Sequence, residues 1–274
     1  MKPRPFDYVR PDSVDEAVAL LDEHGDAARV LAGGQSLIAM LNFRLAEPEM
    51  LIDVSRLTEL DTIREIDGKI EVGAAVTQNK LLAWPALAAK LPLLAKALPW
   101  VGHFQTRNKG TVCGSIAHAD PSSEIPLALA TLGGEVVLRS KSGARVLAAK
   151  DFQIDMLTTA REPEELITAV RFPVHSEKKV AFHEVARRHG DFAIIAIAVV
   201  IDGPNKFRLG VGGMTGRPTV RQISANGDAA VRDVAVALGT ELVGLEDMHA
   251  SAGMRRDMLR NLAPVVVNEA LQCA

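Results

Sequence analysis

The sequence predicts an α+β protein in three consecutive blocks, and three patterns support this fold class. Residues 1–56 alternate between helical and strand patterns, which is typical of a small α/β unit. Residues 57–176 contain alternating apolar runs around a glycine hairpin, with helical segments between the strands. Residues 177–274 contain strand patterns and then two helical segments, which predicts an antiparallel sheet plus helices.

Composition excludes several classes of protein. The chain has 274 residues, of which 48% are apolar and 24% charged, so it is large enough to bury a cofactor. Its formal net charge of −3, without a run of like charges, argues against a nucleic-acid partner or an anionic membrane surface. Cys113 and Cys273 lie far apart and provide neither a disulfide framework nor the ligand spacing of a metal site. We therefore expect protein and small-molecule partners.

The apolar stretches predict no membrane span. The first residues, MKPRPFDYVRP, lack an apolar signal region. The longest apolar run, FAIIAIAVVI at 192–201, is about half as long as a bilayer span. Its isoleucines and valines are typical of a strand that is buried on both faces. We expect a cytoplasmic protein.

The first helix has signals at both ends. Ser13 and Glu16 form a capping box, and Gly25 stands where a helix would end. The elements predicted after it are a strand at Arg29–Ala32, a helix beginning near Ser36 and a strand at Met50–Val54.

The other two blocks contain more strands. Asp67-Gly68 between two alternating runs predicts a hairpin. The second block also contains a helical pattern at 79–98 interrupted by Pro85 and Pro92, an apolar segment at 125–132, and strands at Glu135–Arg139, Ala144–Leu147 and Glu165–Phe172. The third block contains strands at Val180–Val185, Ala193–Ile201 and Phe207–Val211 and helices at Ala229–Leu238 and Ala252–Gln272.

A glycine pair lies between the predicted strand and helix of the first block, in ARVLAGGQSLIAMLNFRL at 28–45. Unpaired N–H groups at a helix N-terminus attract anions, and Gly33 and Gly34 would let a phosphate approach the backbone while Ser36 adds a donor. The spacing matches neither GxGxxG nor the GxxxxGK[ST] phosphate loop. A tight strand-to-helix turn without a ligand stays an open alternative.

A second stretch, RNKGTVCGSIAHADPSSEIP at 107–126, again combines glycines with hydroxyls. Two such loops in one chain suggest a diphosphate held from two sides. Asp120 and Glu124 could accept hydrogen bonds from ribose or ribityl hydroxyls. Two structural alternatives stay open, since Asp120 before Pro121 is typical of a turn and residues 120–124 suit the start of a helix.

Together these segments resemble a known family. FDYVRPDSVDEAVALL, VLAGGQSLIAMLNFRLAEPEMLIDVSRL and GTVCGSIAHADPSSEIPLALATLGGEV are similar to the FAD-binding medium subunit of molybdenum hydroxylases, the group of aerobic carbon monoxide dehydrogenase, and to the flavin domain of xanthine dehydrogenase. The resemblance implies the FAD-binding fold of vanillyl-alcohol oxidase and para-cresol methylhydroxylase, with residues 1–56 and 57–176 as the two FAD-binding subdomains. It covers essentially the whole chain.

The resemblance also implies a role and partners. A large subunit would carry molybdopterin and act on the substrate, and a small subunit with two [2Fe–2S] clusters would pass electrons to FAD in this chain. NAD, oxygen or a quinone would take them from FAD. We expect a dimer of heterotrimers.

Cofactor-binding positions follow from the resemblance, apart from Asp120, which comes from the argument above. Ala32–Ser36 is placed at the pyrophosphate, and Val101, Ile167, His183 and Phe192 near the isoalloxazine. The expected residues are Val30, Leu31, Ala32, Gly33, Gly34, Gln35, Ser36, Leu37, Val101, Thr111, Val112, Cys113, Gly114, Ser115, Asp120, Glu124, Ile167, His183 and Phe192.

The sequence departs from the family pattern in the second loop and at the flavin. Cys113 occupies the first glycine position of the TxGG pattern, and His183 stands where the xanthine dehydrogenase type has lysine. Having only two cysteines argues against an extra iron–sulfur insert, and the absence of a recognisable attachment histidine predicts non-covalent FAD. Simple structural roles stay open for three residues: Phe192 in the core, His183 exposed on a strand, and Cys113 as a packing residue.

Two other functions stay open. The chain could be a structural or docking subunit whose flavin site has degenerated, with Cys113 as the motivating anomaly. It could also be a self-sufficient flavin oxidoreductase of the same fold.

Overall fold

A computed structural model describes residues 2–176, 179–224 and 228–273. The chain begins with a three-stranded parallel sheet in the order β1-β3-β2. Ser13 caps the first helix by accepting a hydrogen bond from the Glu16 N–H at 3.1 Å, and the Glu16 carboxylate accepts one from the Asp12 N–H at 2.7 Å. The elements are β1 (Asp7–Val9), α1 (Val14–His24), β2 (Ala28–Leu31), α2 (Leu37–Phe43) and β3 (Met50–Asp53).

A five-stranded antiparallel sheet follows, in the order β4-β5-β10-β6-β7. The predicted hairpin joins β4 to β5, where Asp67 and Gly68 have φ angles of 49° and 72°. Two consecutive positive φ angles are the signature of a type I′ turn. The strands are β4 (Ile63–Ile66), β5 (Lys69–Gly73), β6 (Glu135–Ser140), β7 (Gly143–Ala148) and β10 (Leu166–Pro173), and the hairpin β8 (Gln153–Asp155) and β9 (Thr158–Thr159) forms a separate two-stranded sheet.

Helices connect β5 to β6 and position the second glycine loop. The two prolines divide the predicted helical region into three short helices, α3 (Gln78–Leu82), α4 (Leu87–Lys90) and α5 (Pro92–Ala97). The polar glycine-containing stretch that follows also forms two helices, which the sequence pattern did not predict. The later helices are α6 (Phe104–Lys109), α7 (Val112–His118), α8 (Glu124–Leu132) and α9 (Ala149–Phe152).

The last part of the chain is a four-stranded antiparallel sheet in the order β11-β12-β13-β14, packed against two helices. The apolar run predicted to be buried on both faces is largely β12. Ala196 and Ala198 belong to the main core beneath α8, whereas Ile195 and Ile197 belong to a second core with α11. The elements are β11 (Val180–Val185), β12 (Ile195–Gly203), β13 (Lys206–Gly212), β14 (Thr219–Ser224), α10 (Asp228–Leu242) and α11 (Ala252–Gln272).

The α+β fold class is confirmed. The strand β14 was not predicted, because the segment Thr219–Ser224 is mostly polar and its buried side chain is Ile223. Within the described ranges, no helix combines the length and the apolar character that crossing a bilayer requires. The division into three blocks stays a prediction.

Candidate functional site

A cleft of about 780 Å³ lies between the loop after β2 and the N-terminal end of α7. The two glycine loops meet in its wall. A Cβ atom placed on Gly33 would lie 2.2 Å from the Lys109 carbonyl oxygen and 2.7 Å from the Gly110 Cα. Only glycine allows two backbones to approach this closely, so Gly33 is required by packing as well as by any ligand.

The first loop presents backbone donors to the cleft. Gly34 has a φ angle of 71°, which glycine adopts readily, and the chain then enters α2. Gly33, Gly34, Gln35 and Ser36 all line the cleft, and in the part of the chain that the structure describes their N–H groups donate no hydrogen bond. Gly33, Gly34 and Ser36 are half-buried and Gln35 is exposed. Amides without partners at the start of a helix favour an anionic ligand, and the α2 dipole adds to that preference.

The second loop is built differently, because it forms hydrogen bonds within itself. Thr111 is the N-cap of α7, and its hydroxyl accepts a hydrogen bond from the Gly114 N–H at 2.9 Å. The Cys113 side chain is 3% exposed and its thiol lies 3.5 Å from the Val72 carbonyl oxygen, so it packs against β5. Burial raises the pKa of this thiol. The cysteine therefore fits where the family pattern has glycine.

A buried carboxyl group begins α8. Glu124 lines the cleft, is 4% exposed, and has a pKa raised to about 7 by burial. Burial and the nearby Glu124 charge raise the pKa of Glu184, on β11, to about 8. Both carboxyl oxygens of Glu184 are buried without a hydrogen-bond partner among the described residues. The two carboxyl groups therefore share about one negative charge near neutral pH instead of carrying two.

Most of the predicted cofactor-binding residues come together in this cleft. Those that line it are Val30, Ala32, Gly33, Gly34, Gln35, Ser36, Leu37, Val101, Thr111, Cys113, Gly114, Ser115, Glu124, Ile167 and Phe192. Phe192 is 60% exposed, so it is not a core residue. The lining of the cleft does not include Leu31, Val112, Asp120 or His183.

The contacts of these four residues elsewhere in the fold explain why they do not line the cleft. Asp120 accepts a hydrogen bond from the Ser122 N–H at 2.8 Å, which is the turn that Asp before Pro121 favours. His183 Nε2 is hydrogen-bonded to Glu269 Oε2 at 2.5 Å, on the face of β11 toward α11. Leu31 belongs to β2, and Val112 is fully buried with its N–H donating to the Val76 carbonyl at 3.1 Å.

The cleft also contains residues that sequence reasoning missed. Gln78 donates to the Thr111 carbonyl at 3.5 Å, while its own Oε1 is buried without a partner in the described ranges. Arg29 and Arg161 line the cleft as well. Arg29 adjoins the first loop in sequence and could have been included among the predicted site residues. Gln78 and Arg161 reach the cleft only through the tertiary fold.

Fold and cleft together define the class of a cofactor-binding α+β protein whose two glycine loops meet at one cleft. The sequence family described as FAD binding domain in molybdopterin dehydrogenase matches residues 4–175. The chain belongs to this family, as an FAD-binding medium subunit of the molybdenum hydroxylase type. FAD is accordingly its cofactor, and the unpaired amides of the first loop fit the pyrophosphate of that group.

Relatives of the whole chain are oxidoreductase subunits. The chain is 36% identical over 287 residues to the 6-hydroxypseudooxynicotine dehydrogenase complex subunit alpha of Paenarthrobacter nicotinovorans, covering 100% of this chain and 97% of that protein. It is 41% identical over 202 residues to the carbon monoxide dehydrogenase medium chain of Afipia carboxidovorans, covering 73% and 70%. A chain of the carbon monoxide dehydrogenase structure from Hydrogenophaga pseudoflava superposes with a TM-score of 0.93 at 31% identity, covering 100% of both chains.

Proposed function

We propose that this chain transfers electrons through non-covalently bound FAD within a molybdenum-containing hydroxylase or dehydrogenase complex. The observation that carries the proposal is that four consecutive backbone amides, Gly33 to Ser36, belong to residues lining the same cleft as the second loop and have no hydrogen-bond partner in the described ranges. Such donors suit a diphosphate and perform no bond-making chemistry themselves. The redox chemistry comes from FAD, which accepts and releases electrons singly or in pairs.

The protein's own residues bind and orient the cofactor. The first loop supplies donors for the pyrophosphate, and Glu124 supplies a carboxyl group for ribityl hydroxyls. Val101, Ile167 and Phe192 supply an apolar surface for the isoalloxazine. The groups expected near the flavin include no nucleophile–base pair, because the Cys113 thiol is buried against β5 and His183 is bonded to Glu269.

The proposal includes partner subunits. Relatives are named as a complex subunit alpha and as medium chains of dehydrogenases, which supports an assembly with other chains. We propose a molybdopterin-binding large subunit and a [2Fe–2S] small subunit in a dimer of heterotrimers. NAD, oxygen or a quinone would be the final acceptor. We also propose a cytoplasmic location for the protein.

Purification of the chain alone and from its native cell tests this function. The isolated chain should bind one FAD per chain, seen as flavin absorbance, and should not oxidise organic substrates with an artificial electron acceptor. A native preparation should contain molybdenum and iron–sulfur subunits. A chain that binds no flavin after FAD is added would contradict the proposal.

The two alternative functions make opposite predictions in the same experiment. A docking subunit with a degenerate site would bind no FAD. The observation that motivates this alternative is Cys113 in the second loop, and the argument from it is weakened because the Cys113 side chain is buried against β5. A self-sufficient oxidoreductase would turn over a small organic substrate by itself, without copurifying subunits.

A further inference from the structure

Two buried carboxyl groups lie at and behind the second wall of the cleft. Glu124 begins α8, lines the cleft and is 4% exposed. Glu184 lies on β11, is 8% exposed and is not part of the cleft lining. Both of its carboxyl oxygens are buried without a hydrogen-bond partner in the described ranges. Since buried polar groups are normally hydrogen-bonded, an unpartnered carboxyl group next to a cofactor cleft indicates a functional role.

The strand register places Glu184 on the α8 side of the last sheet. Glu184 is paired with Ala196 on β12, and directly paired residues of an antiparallel sheet share a face. Ala196 belongs to the main core together with Leu127 of α8. A Cβ atom placed on Gly212, the next residue across the sheet, would lie 3.3 Å from the Leu127 side chain and 3.9 Å from the Ala196 Cβ. Glu184 therefore faces the layer that α8 begins, and the charge of Glu124 acts on its pKa.

The charges around the two carboxyl groups do not neutralise them. Arg107 lowers the pKa of Glu124, but its Nη1 donates to the Val101 and Gly102 carbonyls at 2.9 Å each, while the charge of Asp120 raises that pKa. Charged side chains on the elements packed against β11 and α8 have other described partners. These are Lys96 and His183 with Glu269, Arg255 with Asp247, Arg256 with the Val243 carbonyl, Arg260 with Asp257, and Arg208 with Asp202.

The electron source in the proposed function supplies no proton. A [2Fe–2S] cluster passes electrons alone, whereas reduction of FAD by two electrons to its anionic reduced form also consumes one proton. A buried carboxyl group that keeps its proton near neutral pH can supply that proton as a general acid. The cleft contains such a group in Glu124, and Glu184 is a second one behind it.

We propose that Glu184 holds a proton behind Glu124 and passes it through Glu124 to the flavin as electrons arrive. This inference rests on the proposed function and adds a proton donor to it. The reduced iron–sulfur cluster gives the electrons. The O–H bond of Glu124 breaks as an N–H bond forms on the flavin, and the proton of Glu184 then moves to Glu124. Solvent returns a proton to Glu184, which closes the balance.

Reduction of the FAD-bound full-length chain by reduced methyl viologen, which donates electrons without protons, tests the inference. Flavin bleaching is followed by stopped flow from about pH 6 to 9. The wild-type rate should be constant up to about pH 8, the pKa of Glu184, and fall above it. In E184Q the rate should be about tenfold to a hundredfold lower at pH 7 and should fall steadily with pH, because solvent then supplies the proton. E184D keeps the acid and should recover part of the rate.

Infrared spectroscopy provides a readout that needs no turnover. The reduced-minus-oxidised difference spectrum of the wild type should contain a carboxylic-acid C=O band that shifts in D2O. This band should be missing in E184Q. An unchanged band in E184Q would assign it to another carboxyl group and overturn the inference.

A second buried glutamate is the matched control. Glu71 is 5% exposed, but it accepts hydrogen bonds from Arg64 and Arg171 and lies outside the cleft lining. E71Q should therefore keep the wild-type pH profile and infrared band. The inference is overturned if E184Q has the wild-type pH profile, or if E71Q changes the profile as E184Q does. A wild-type chain that binds no FAD would instead refute the proposed function.

Discussion

The two walls of the cleft differ in where their backbone polar groups find partners. The first wall, residues 32–37, leaves four consecutive amides without a partner in the described structure. The second wall, residues 111–124, satisfies part of its own backbone through the Thr111 cap and the Asp120 turn. The first wall therefore supplies binding free energy for an anion, whereas the second supplies a fixed shape against which the anion is held.

The contact between the walls explains why both are needed. Gly33 lies against the backbone of Lys109 and Gly110, directly before Thr111. This contact sets the separation of the two loops with backbone atoms rather than flexible side chains. A change at the contact should thus alter both folding and cofactor binding, while changes within one wall should affect one property more than the other.

Substitution at the contact should have the largest effect. In G33A the new methyl group meets a backbone carbonyl at 2.2 Å, so one loop must move. We expect unfolding free energy to fall by about 2 to 3 kcal/mol, as for overpacked cores, and FAD affinity to fall on the order of a hundredfold. Thermal unfolding and flavin titration measure the two effects.

Gly34 provides a comparison within the same loop. G34A suffers from its φ angle of 71°, at about 1 to 2 kcal/mol, but its methyl group meets the flexible Ile38 side chain at 3.1 Å. We expect a smaller loss of FAD affinity, about tenfold. G239A, in α10 with ordinary contacts of 3.8 Å, should bind FAD normally. Equal FAD affinity in G33A and wild type would show that the walls need not touch.

The stability of the folded chain should depend on pH because of Glu124, which lies in the second wall. Its folded pKa, about 7, lies above the ordinary value of 4.5, so the folded state binds the proton more tightly than the unfolded state. Stability from this group is present below pH 4.5 and is lost as pH rises toward 7. At 1.36 kcal/mol per pKa unit, the loss is about 3 kcal/mol. In E124Q this part of the pH dependence should vanish, as denaturant unfolding of the flavin-free chain at pH 5 to 8 would show.

An exposed glutamate is the matched control for this prediction. Glu23 lies on the outer surface of α1, so E23Q should keep the wild-type pH dependence. E184Q should flatten the curve at higher pH, because the Glu184 pKa is raised to about 8. If E124Q follows the wild-type curve, Glu124 is ionised in the folded protein at neutral pH.

Local chemistry made the secondary structure largely predictable from sequence. The cap at Ser13, the turn at Asp67-Gly68 and the apolar run in β12 each depend on neighbouring residues, and each was predicted correctly. The helices α6 and α7 were missed, because residues 102–114 lack an apolar stripe. The formation of α7 depends on Thr111 as a cap and on packing against β5 and β10, whereas α6 packs against α3.

The residues that line the cleft could be predicted from the sequence where the cleft consists of loop backbone. Gly33, Gly34 and Thr111 follow from residue type and spacing, and the structure brings them together. Side chains that arrive from distant segments were not predictable. His183, expected near the flavin, lies outside the cleft lining because strand alternation turns it toward Glu269, and its role at the flavin stays a prediction. Arg161 enters the cleft from a segment with no motif.

The smallest expected effect concerns the cap of the second wall. T111V keeps the shape of the side chain and removes the hydrogen bond from the Gly114 N–H, so we expect a stability loss of about 1 kcal/mol. FAD affinity should fall by about three- to tenfold, since the cleft end of α7 loosens. Calorimetry and flavin titration of the same preparations measure both.

Thr77 allows these two effects to be separated. It caps α3 in the same way, accepting a hydrogen bond from the Lys80 N–H at 3.1 Å, but it does not line the cleft. T77V should therefore lose a similar amount of stability, about 1 kcal/mol, while FAD affinity stays at the wild-type value. If T77V and T111V reduce FAD affinity equally, the effect of Thr111 reflects general stability. The second wall would then hold FAD by shape alone, with no dependence on the cap that faces the cofactor.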